Sequence, residues 1–225
     1  GGDGTASPVG SGLNSSVAID GGSFSSTGGG GAYDTPAQAG GSGGGAQHQG
    51  QGGAGNLGGY SPSEGNRGGN SGPGNFNAAG GGGAGAAGTD NSGGITGPGT
   101  PGGGGVANSI SGSSVTYGGG GGGAGGLFQT TVYLAVGTYP VDVGAGSAGT
   151  PTWSADGNPT SLGGTRGANV GGDGGDGKVI LKIPATEVAE YPALAISPGT
   201  NTISTDPGGN KIATFNVTGT LDLLG

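Results

Sequence analysis

The stretch Gly118–Gly126, GGGGGGAGG, limits how the rest of the chain can fold. It lies between Ser109–Tyr117, which alternates apolar with Ser/Thr residues, and the apolar run Leu127–Val136. Glycine loses more backbone entropy on folding than any other residue and has no side chain to bury, so this run favours neither an α-helix nor an ordinary strand. It is therefore either disordered or held by something other than side-chain burial.

Glycine blocks of the same kind recur through residues 1–126, divided by short polar inserts that differ from one another. The blocks are 28–31, 40–45, 52–55, 58–59, 68–69, 80–83, 93–94 and 102–105. Extended left-handed helices with three residues per turn have no internal hydrogen bonds, and only glycine lets such backbones approach closely enough to bond to each other. The sequence therefore predicts a bundle of packed polyglycine II helices joined by short loops. The alternative is a flexible glycine–serine linker.

Composition favours an ordered, backbone-dominated structure over a disordered tail. Glycine is 68 of 225 residues, yet only 8% of residues are charged, whereas disordered chains usually combine low hydrophobicity with high charge. The formal net charge is −8 and there is no Lys/Arg cluster, so no nucleic-acid partner is expected. No apolar run approaches the ~18 residues of a membrane-spanning helix, so no membrane span is expected either.

The remainder of the chain is predicted to be β-rich. Lys178–Ile183 is the clearest strand, and Leu127–Val136 and Thr138–Val143 are predicted as strands of a hairpin or small sheet. After Pro184, glycine becomes scarcer and strand-like segments alternate with Pro-Gly turns up to Leu224. The predicted fold class is mostly irregular/all-β, with small antiparallel sheet elements and essentially no α-helix.

Three parts are predicted along the chain. Residues 1–126 form the glycine-rich bundle, and residues 127–183 form the strand and glycine-rich closing part of the same module. Residues 184–225 form a β-rich C-terminal segment, for assembly or as the start of a further module.

Five motifs in one order resemble the glycine-rich module of bacteriophage tail-fibre and other virion fibre and adhesin proteins. They are GGGGAGAA (80–87), GGGGVANSISGSSVTY (102–117), GGGGGGAGG (118–126), GTYPVDVGAG (137–146) and GDGGDGKVILKI (172–183). KIATFNVTGT (211–220) also resembles the strand that opens such modules. The resemblance covers roughly residues 1–183, and the order of the motifs makes it more specific than any one of them.

The resemblance implies a non-enzymatic phage fibre or virion-surface structural protein, located on the virion surface or outside the cell. Its variable loops would attach to a host cell-surface receptor, either a polysaccharide or an outer-membrane protein. It would also associate with other copies of itself, as a homo-oligomer, or with other fibre subunits. The alternative is a subunit of a self-assembling extracellular filament or cell-surface structural protein, joined to the next copy by its C-terminal strands.

The residue types predict no enzyme, no cofactor and no metal site. There is one His and no Cys, which excludes Cys–His dyads and His-rich metal sites, and no GxSxG elbow is present. The glycine runs lack the GK[ST] or strand–GxGxxG–helix context of phosphate-binding loops. Gly171–Asp176, GGDGGD, approaches a calcium-binding repeat once, but a turn before a strand is the preferred interpretation.

Receptor binding is the better prospect, because aromatic and polar residues occur in the inserts and suit sugars or protein loops. The candidates are Tyr33, His48, Tyr60, Arg67, Phe76 and Trp153. For each residue taken alone, a plain loop position or packing over the end of a glycine segment is at least as good an interpretation.

Overall fold

The computed structural model describes residues 11–19, 22–32, 36–73, 77–92, 99–121, 126–144, 177–188 and 193–224. The described residues of 27–105 and 118–121 form a glycine-rich region without regular strands or helices, and this region is joined to small antiparallel sheets. The one helix described, α1 (Ala185–Val188), is a single turn. The mostly irregular and β fold class, and the near absence of α-helix, are confirmed.

Ten strands are described, and they pair in three antiparallel sheets. They are β1 (Ser15–Ile19), β2 (Gly22–Ser26), β3 (Val106–Asn108), β4 (Val115–Tyr117), β5 (Gly137–Asp142), β6 (Val179–Ile183), β7 (Ala193–Ser197), β8 (Thr202–Thr205), β9 (Lys211–Phe215) and β10 (Gly219–Leu224). The sheets have the strand orders β2-β1-β5-β10-β7, β3-β4 and β6-β9-β8. The predicted strands at Lys178–Ile183 and after Pro184 are thereby confirmed.

The five-stranded and three-stranded sheets share one buried apolar core. Every second residue of a strand faces the same side of a sheet, and the buried residues keep that spacing. They are Val17, Ile19, Tyr139, Val141, Ile183, Ala213, Phe215, Leu221 and Leu223. β1, β5 and β10 lie side by side in this arrangement, so each of the three predicted parts of the chain contributes a strand to the same sheet.

The strand predicted at Leu127–Val136 is wrong, since the described chain has no strand between residues 126 and 137. Two apolar residues of this run, Val132 and Leu134, still pack against the core, whereas Tyr133 and Val136 are exposed. However, β5, which follows directly, is paired on one side by β1 and on the other by β10. β1 pairs with β5 only at Val141 and Asp142, and the run 127–136 is not paired with β5 as a strand. Strand propensity alone does not supply a pairing partner.

Residues 40–46, which we call the central segment, lie at the centre of the glycine-rich region, and all seven are buried. Its backbone bonds to four other segments, 28–31, 53–57, 65–69 and 79–83. The bonds include Gly30 N to Ser42 O (2.9 Å), Gly53 N to Gly44 O (2.9 Å), Gly43 N to Asn66 O (2.9 Å) and Gly82 N to Gly43 O (2.8 Å). A strand within a sheet has only two bonded neighbours, so this segment is not a sheet strand.

The backbones of this region approach so closely that only glycine fits. A Cβ added to Gly44 would lie 2.1 Å from the carbonyl oxygen of Gly31, well inside van der Waals contact. At the flanking Gly43 and Gly45 the added Cβ would meet carbonyl oxygens of two further segments, at 1.9 and 2.1 Å. Consecutive glycines of the central segment therefore face three different neighbours.

None of the helices in the described ranges has the length or the apolar character needed to cross a membrane.

Candidate binding surface at the loop end

The glycine-rich region has two ends, which the central segment connects. At one end, Ala46 bonds to Gly69 and Ala79. At the other, the carbonyl of Gly41 accepts a hydrogen bond from Asn56. We call residues 47–50, 70–72, 77–78 and 89–92 the loop end, and residues 27, 56–60, 64 and 126–128 the sheet end.

The loop end is a single hydrogen-bonded surface built from three inserts. Ser71 links two of them, since its N–H donates to Gly50 O (2.9 Å) and its Oγ donates to Asn77 O (3.1 Å). The third insert joins through Asn91, whose N–H donates to Asn70 O (2.8 Å) and whose Nδ2 donates to Ala78 O (3.1 Å). These loops are therefore held in place although they contain no regular secondary structure.

The turn Gln47–Gly50 carries backbone strain. Its chain reverses with Gly50 N donating to Gln47 O (2.8 Å), and the central residues His48 and Gln49 have φ of 44° and 65°. Turns with two positive φ values are dominated by Gly, Asn and Asp. A left-handed conformation costs a side-chain-bearing residue roughly 1–2 kcal/mol relative to the right-handed one. Both side chains are exposed, so this strain is not relieved by burial.

Arg67 is tied to Asp90 at the loop end. Its guanidinium donates to both carboxylate oxygens, at 2.8 and 3.3 Å, and the two side chains are 47% and 50% exposed. The hydrogen bond from Arg67, followed by one from the backbone N–H of Asn70, lowers the pKa of Asp90. The hydrogen bond to Asp90 likewise raises the pKa of Arg67. Arg67 therefore presents a neutral, planar ion pair instead of a free cation.

The chemistry that the loop end exposes is polar and nearly uncharged. Its exposed residues are His48, Gln49, Asn70, Thr89, Asp90 and Ser92, and Gly72 is half-buried. The large exposed apolar residues of the described chain all lie elsewhere. They are Leu13, Leu57, Val106, Tyr133, Val136, Ile203, Val217 and Leu224. The described residues of the loop end thus offer hydrogen-bonding groups and no large exposed apolar side chain.

Tyr60 lies at the opposite end of the glycine-rich region from the described candidate His48. Its ring packs on Phe128 at the sheet end, with centroids 4.8 Å apart, and its N–H donates to Asn56 Oδ1 (3.1 Å). His48 and Arg67 belong to the loop-end side of the region. Tyr33, Phe76 and Trp153, and the acidic motif Gly171–Asp176, lie outside the described residues.

A buried carboxylate that sequence reasoning passed over holds the sheet end together. Glu64 is 1% exposed, and its two oxygens accept from Thr27 N (2.9 Å) and Gly58 N (3.1 Å). Its own carbonyl accepts from Leu127 N (2.8 Å), where the chain leaves the glycine-rich region. In the sequence Glu64 is a single acidic residue in a segment rich in Gly, Ser and Pro. This pattern does not reveal that three distant backbone segments meet at its side chain and carbonyl.

An apolar cavity lies apart from the loop end, between β1, β2, β6 and residues 128–132. Its volume is about 140 Å³, and its walls include Val17, Phe24, Phe128 and Leu181, with Lys178 as a cationic group. Of the receptor-binding candidates that the structure describes, His48, Tyr60 and Arg67, none lines it. Across the described ranges, no three His, Asp or Glu side chains are grouped so that they could hold a metal ion.

Comparisons of the chain with protein-family models, curated proteins and solved structures give no match. Its function is therefore inferred from its residues and their geometry.

Proposed function

We propose that this chain is a non-enzymatic structural protein of a phage fibre or other virion surface, which presents its loop end to a host cell. The observation that carries the proposal is that the two ends of the glycine-rich region differ. Its described insert residues 47–50, 70–72, 77–78 and 89–92 come together at one end, while its other end continues into the sheets. The five ordered motifs that resemble virion fibre modules support the same function.

We further propose that the glycine segments are polyglycine II helices. In such a helix successive residues point about 120° apart, because there are three residues per turn. The four bonded neighbours of the central segment, and the three neighbours met by Gly43, Gly44 and Gly45, support that geometry. A rod of this kind suits attachment, because its interior consists of backbone and its end loops can vary in sequence without altering it.

Cell binding tests the attachment function. The labelled full chain would be mixed with a panel of bacterial strains, beside a loop-end variant in which Gln47, His48 and Gln49 become Ser, Gly and Asn. A sheet-end variant, Leu57→Ala, is the matched control, since Leu57 is 62% exposed. We expect the strains that bind the parent chain to bind the control equally well and not to bind the loop-end variant. Equal binding by the loop-end variant, or loss with the control, contradicts the proposal.

A second candidate function, a self-assembling filament subunit, is favoured by the apolar surface away from the loop end. Tyr133 is 87% exposed and Val136 58% exposed, and β2 and β7 are the outer strands of the five-stranded sheet. Outer strands can pair with another chain. Negative-stain microscopy of the purified chain distinguishes the two functions, since long filaments formed by this chain alone would favour the second.

A further inference from the structure

We infer that the loop end binds a neutral polysaccharide, with the strained turn Gln47–Gly50 as its central contact; this inference rests on the attachment function proposed above. Its starting point is the use of non-glycine residues where glycine would cost least. The chain has 68 glycines, yet His48 and Gln49 occupy two consecutive left-handed positions. Strain of this kind persists where the side chains serve a purpose, and it occurs preferentially at functional sites.

The groups beside the turn suit sugar hydroxyls. Amide side chains combine donors and an acceptor in one plane, and a carboxylate accepts from two directions, so pairs of adjacent hydroxyls can bond to each. Asn70, Asp90 and Gln49 supply such groups, and all three are exposed. Their positions are set by backbone hydrogen bonds, because Gln49 N donates to Ser71 Oγ (3.4 Å) and Asn70 N donates to Asp90 Oδ1 (2.8 Å). A surface that is ordered before binding loses little entropy when a ligand arrives.

The charge and polarity of the described loop-end residues favour a neutral glycan over the other receptor classes that a cell surface offers. An acidic polysaccharide needs cationic groups, but Arg67 is neutralised by Asp90 and the whole chain carries −8. A protein epitope is usually held by aromatic or aliphatic anchors, and the described loop end exposes no large apolar side chain. A neutral glycan requires neither.

The test measures binding and stability on the same variants of the full chain. Probes are dextran, yeast mannan and galactomannan as neutral glycans, alginate as an acidic glycan, and a purified outer-membrane protein in detergent. H48G/Q49G removes both side chains and suits the left-handed backbone, so we expect at least a tenfold loss of neutral-glycan binding with an equal or higher melting temperature. H48N/Q49N keeps amide groups and tolerates positive φ, and we expect it to retain most of the binding. Leu57→Ala is the control and should bind as the parent does.

Three results would overturn the inference. One is binding of alginate or of the outer-membrane protein in preference to every neutral glycan, or binding of none of the probes. Another is a parent-like affinity of H48G/Q49G for the neutral glycans. The third is a fall in melting temperature together with binding, which would make the turn a structural element.

Whole cells separate this inference from the attachment function. If cells bind through the loop end but neutral glycans do not compete and protease treatment of the cells abolishes binding, the glycan inference fails and attachment stands. If neutral glycans bind the loop end but no strain in the panel is bound, attachment fails and the glycan inference stands.

Discussion

The glycine-rich region and the sheets build their interiors in opposite ways. Between the sheets the buried residues are large, and Phe215, Leu221 and Val141 are all fully buried. In the central segment the buried residues are glycines with Ser42 and Ala46, and the contacts are between backbones. Burial of apolar side chains stabilises the interior between the sheets, whereas the interior of the glycine-rich region is held by hydrogen bonds between peptide groups. One region should therefore be sensitive to the loss of atoms and the other to their addition.

The largest effect is expected from removing a core side chain between the sheets. Phe215→Ala should lower the free energy of unfolding by about 3–5 kcal/mol, because it removes a fully buried ring that the surrounding strands cannot replace. Urea unfolding followed by circular dichroism measures this. Ile203→Ala, at a site 37% exposed on β8, is the control and should cost well under half as much. Equal costs at the two positions would contradict the assignment of the core.

A single methyl group added to the glycine-rich region should cost about 1–3 kcal/mol or more. At Gly103 an added Cβ would lie 2.0 Å from Ala86 O and 2.6 Å from Gly83 N, so backbones must separate. The adjacent Gly104 is the matched control, since a Cβ there meets nothing within 4 Å and the position is exposed. Gly103→Ala should lower the melting temperature, whereas Gly104→Ala should leave it equal or slightly higher. Similar shifts for both would show that close backbone packing does not hold this region.

Glu64→Gln tests the connection between the two regions. The substitution keeps the shape of the side chain but puts an NH₂ group where one oxygen accepts from Thr27 N or Gly58 N. One buried N–H then loses its acceptor, which should cost about 1–3 kcal/mol. Hydrogen exchange should become faster first around residues 27, 58 and 127. Glu187→Gln, at a half-buried position of α1 outside the glycine-rich region, is the control and should change neither stability nor exchange at these residues. Faster exchange confined to the loop end would contradict the role of Glu64.

The smallest effect is a pH dependence that belongs to the sheets. Hydrogen bonds from Asn210, with a further contribution from Lys182, lower the pKa of Asp206 to about 2. Because the folded-state pKa lies below the unfolded value near 3.8, the stabilisation is complete above pH ~4 and is lost as the pH falls toward 2. The parent should therefore lose more stability than Asp206→Asn over that interval. Parallel melting curves for the two proteins at pH 5, 4, 3 and 2 would measure the difference, and identical pH profiles would contradict it.

Part of the fold and a smaller part of the site could be predicted. The apolar segment Lys178–Ile183 and the strand-like segments after Pro184 predicted strands that the structure contains. Strand propensity also misplaced a strand at Leu127–Val136, because propensity does not show which segment, if any, becomes a pairing partner. Among the site residues, His48 could be named as a binding candidate because it lies in a polar insert. The left-handed backbone of its turn, and the hydrogen bonds of Gln49 and Gly50 to Ser71, depend on contacts that a linear pattern does not contain.

The amino-acid sequence by itself determined the kinds of interior this protein can have. The glycine blocks between residues 28 and 105 bring too few large apolar side chains for a core of their own, and the apolar segments after residue 126 favour partly buried strands. Tertiary structure decided which segments are neighbours. It placed residues 40–46 at the centre, inserted β10 between β5 and β7, and gathered the polar inserts at one end. The physical reason is that glycine segments are chemically alike, so only the mutual satisfaction of their N–H and C=O groups in three dimensions distinguishes one neighbour from another.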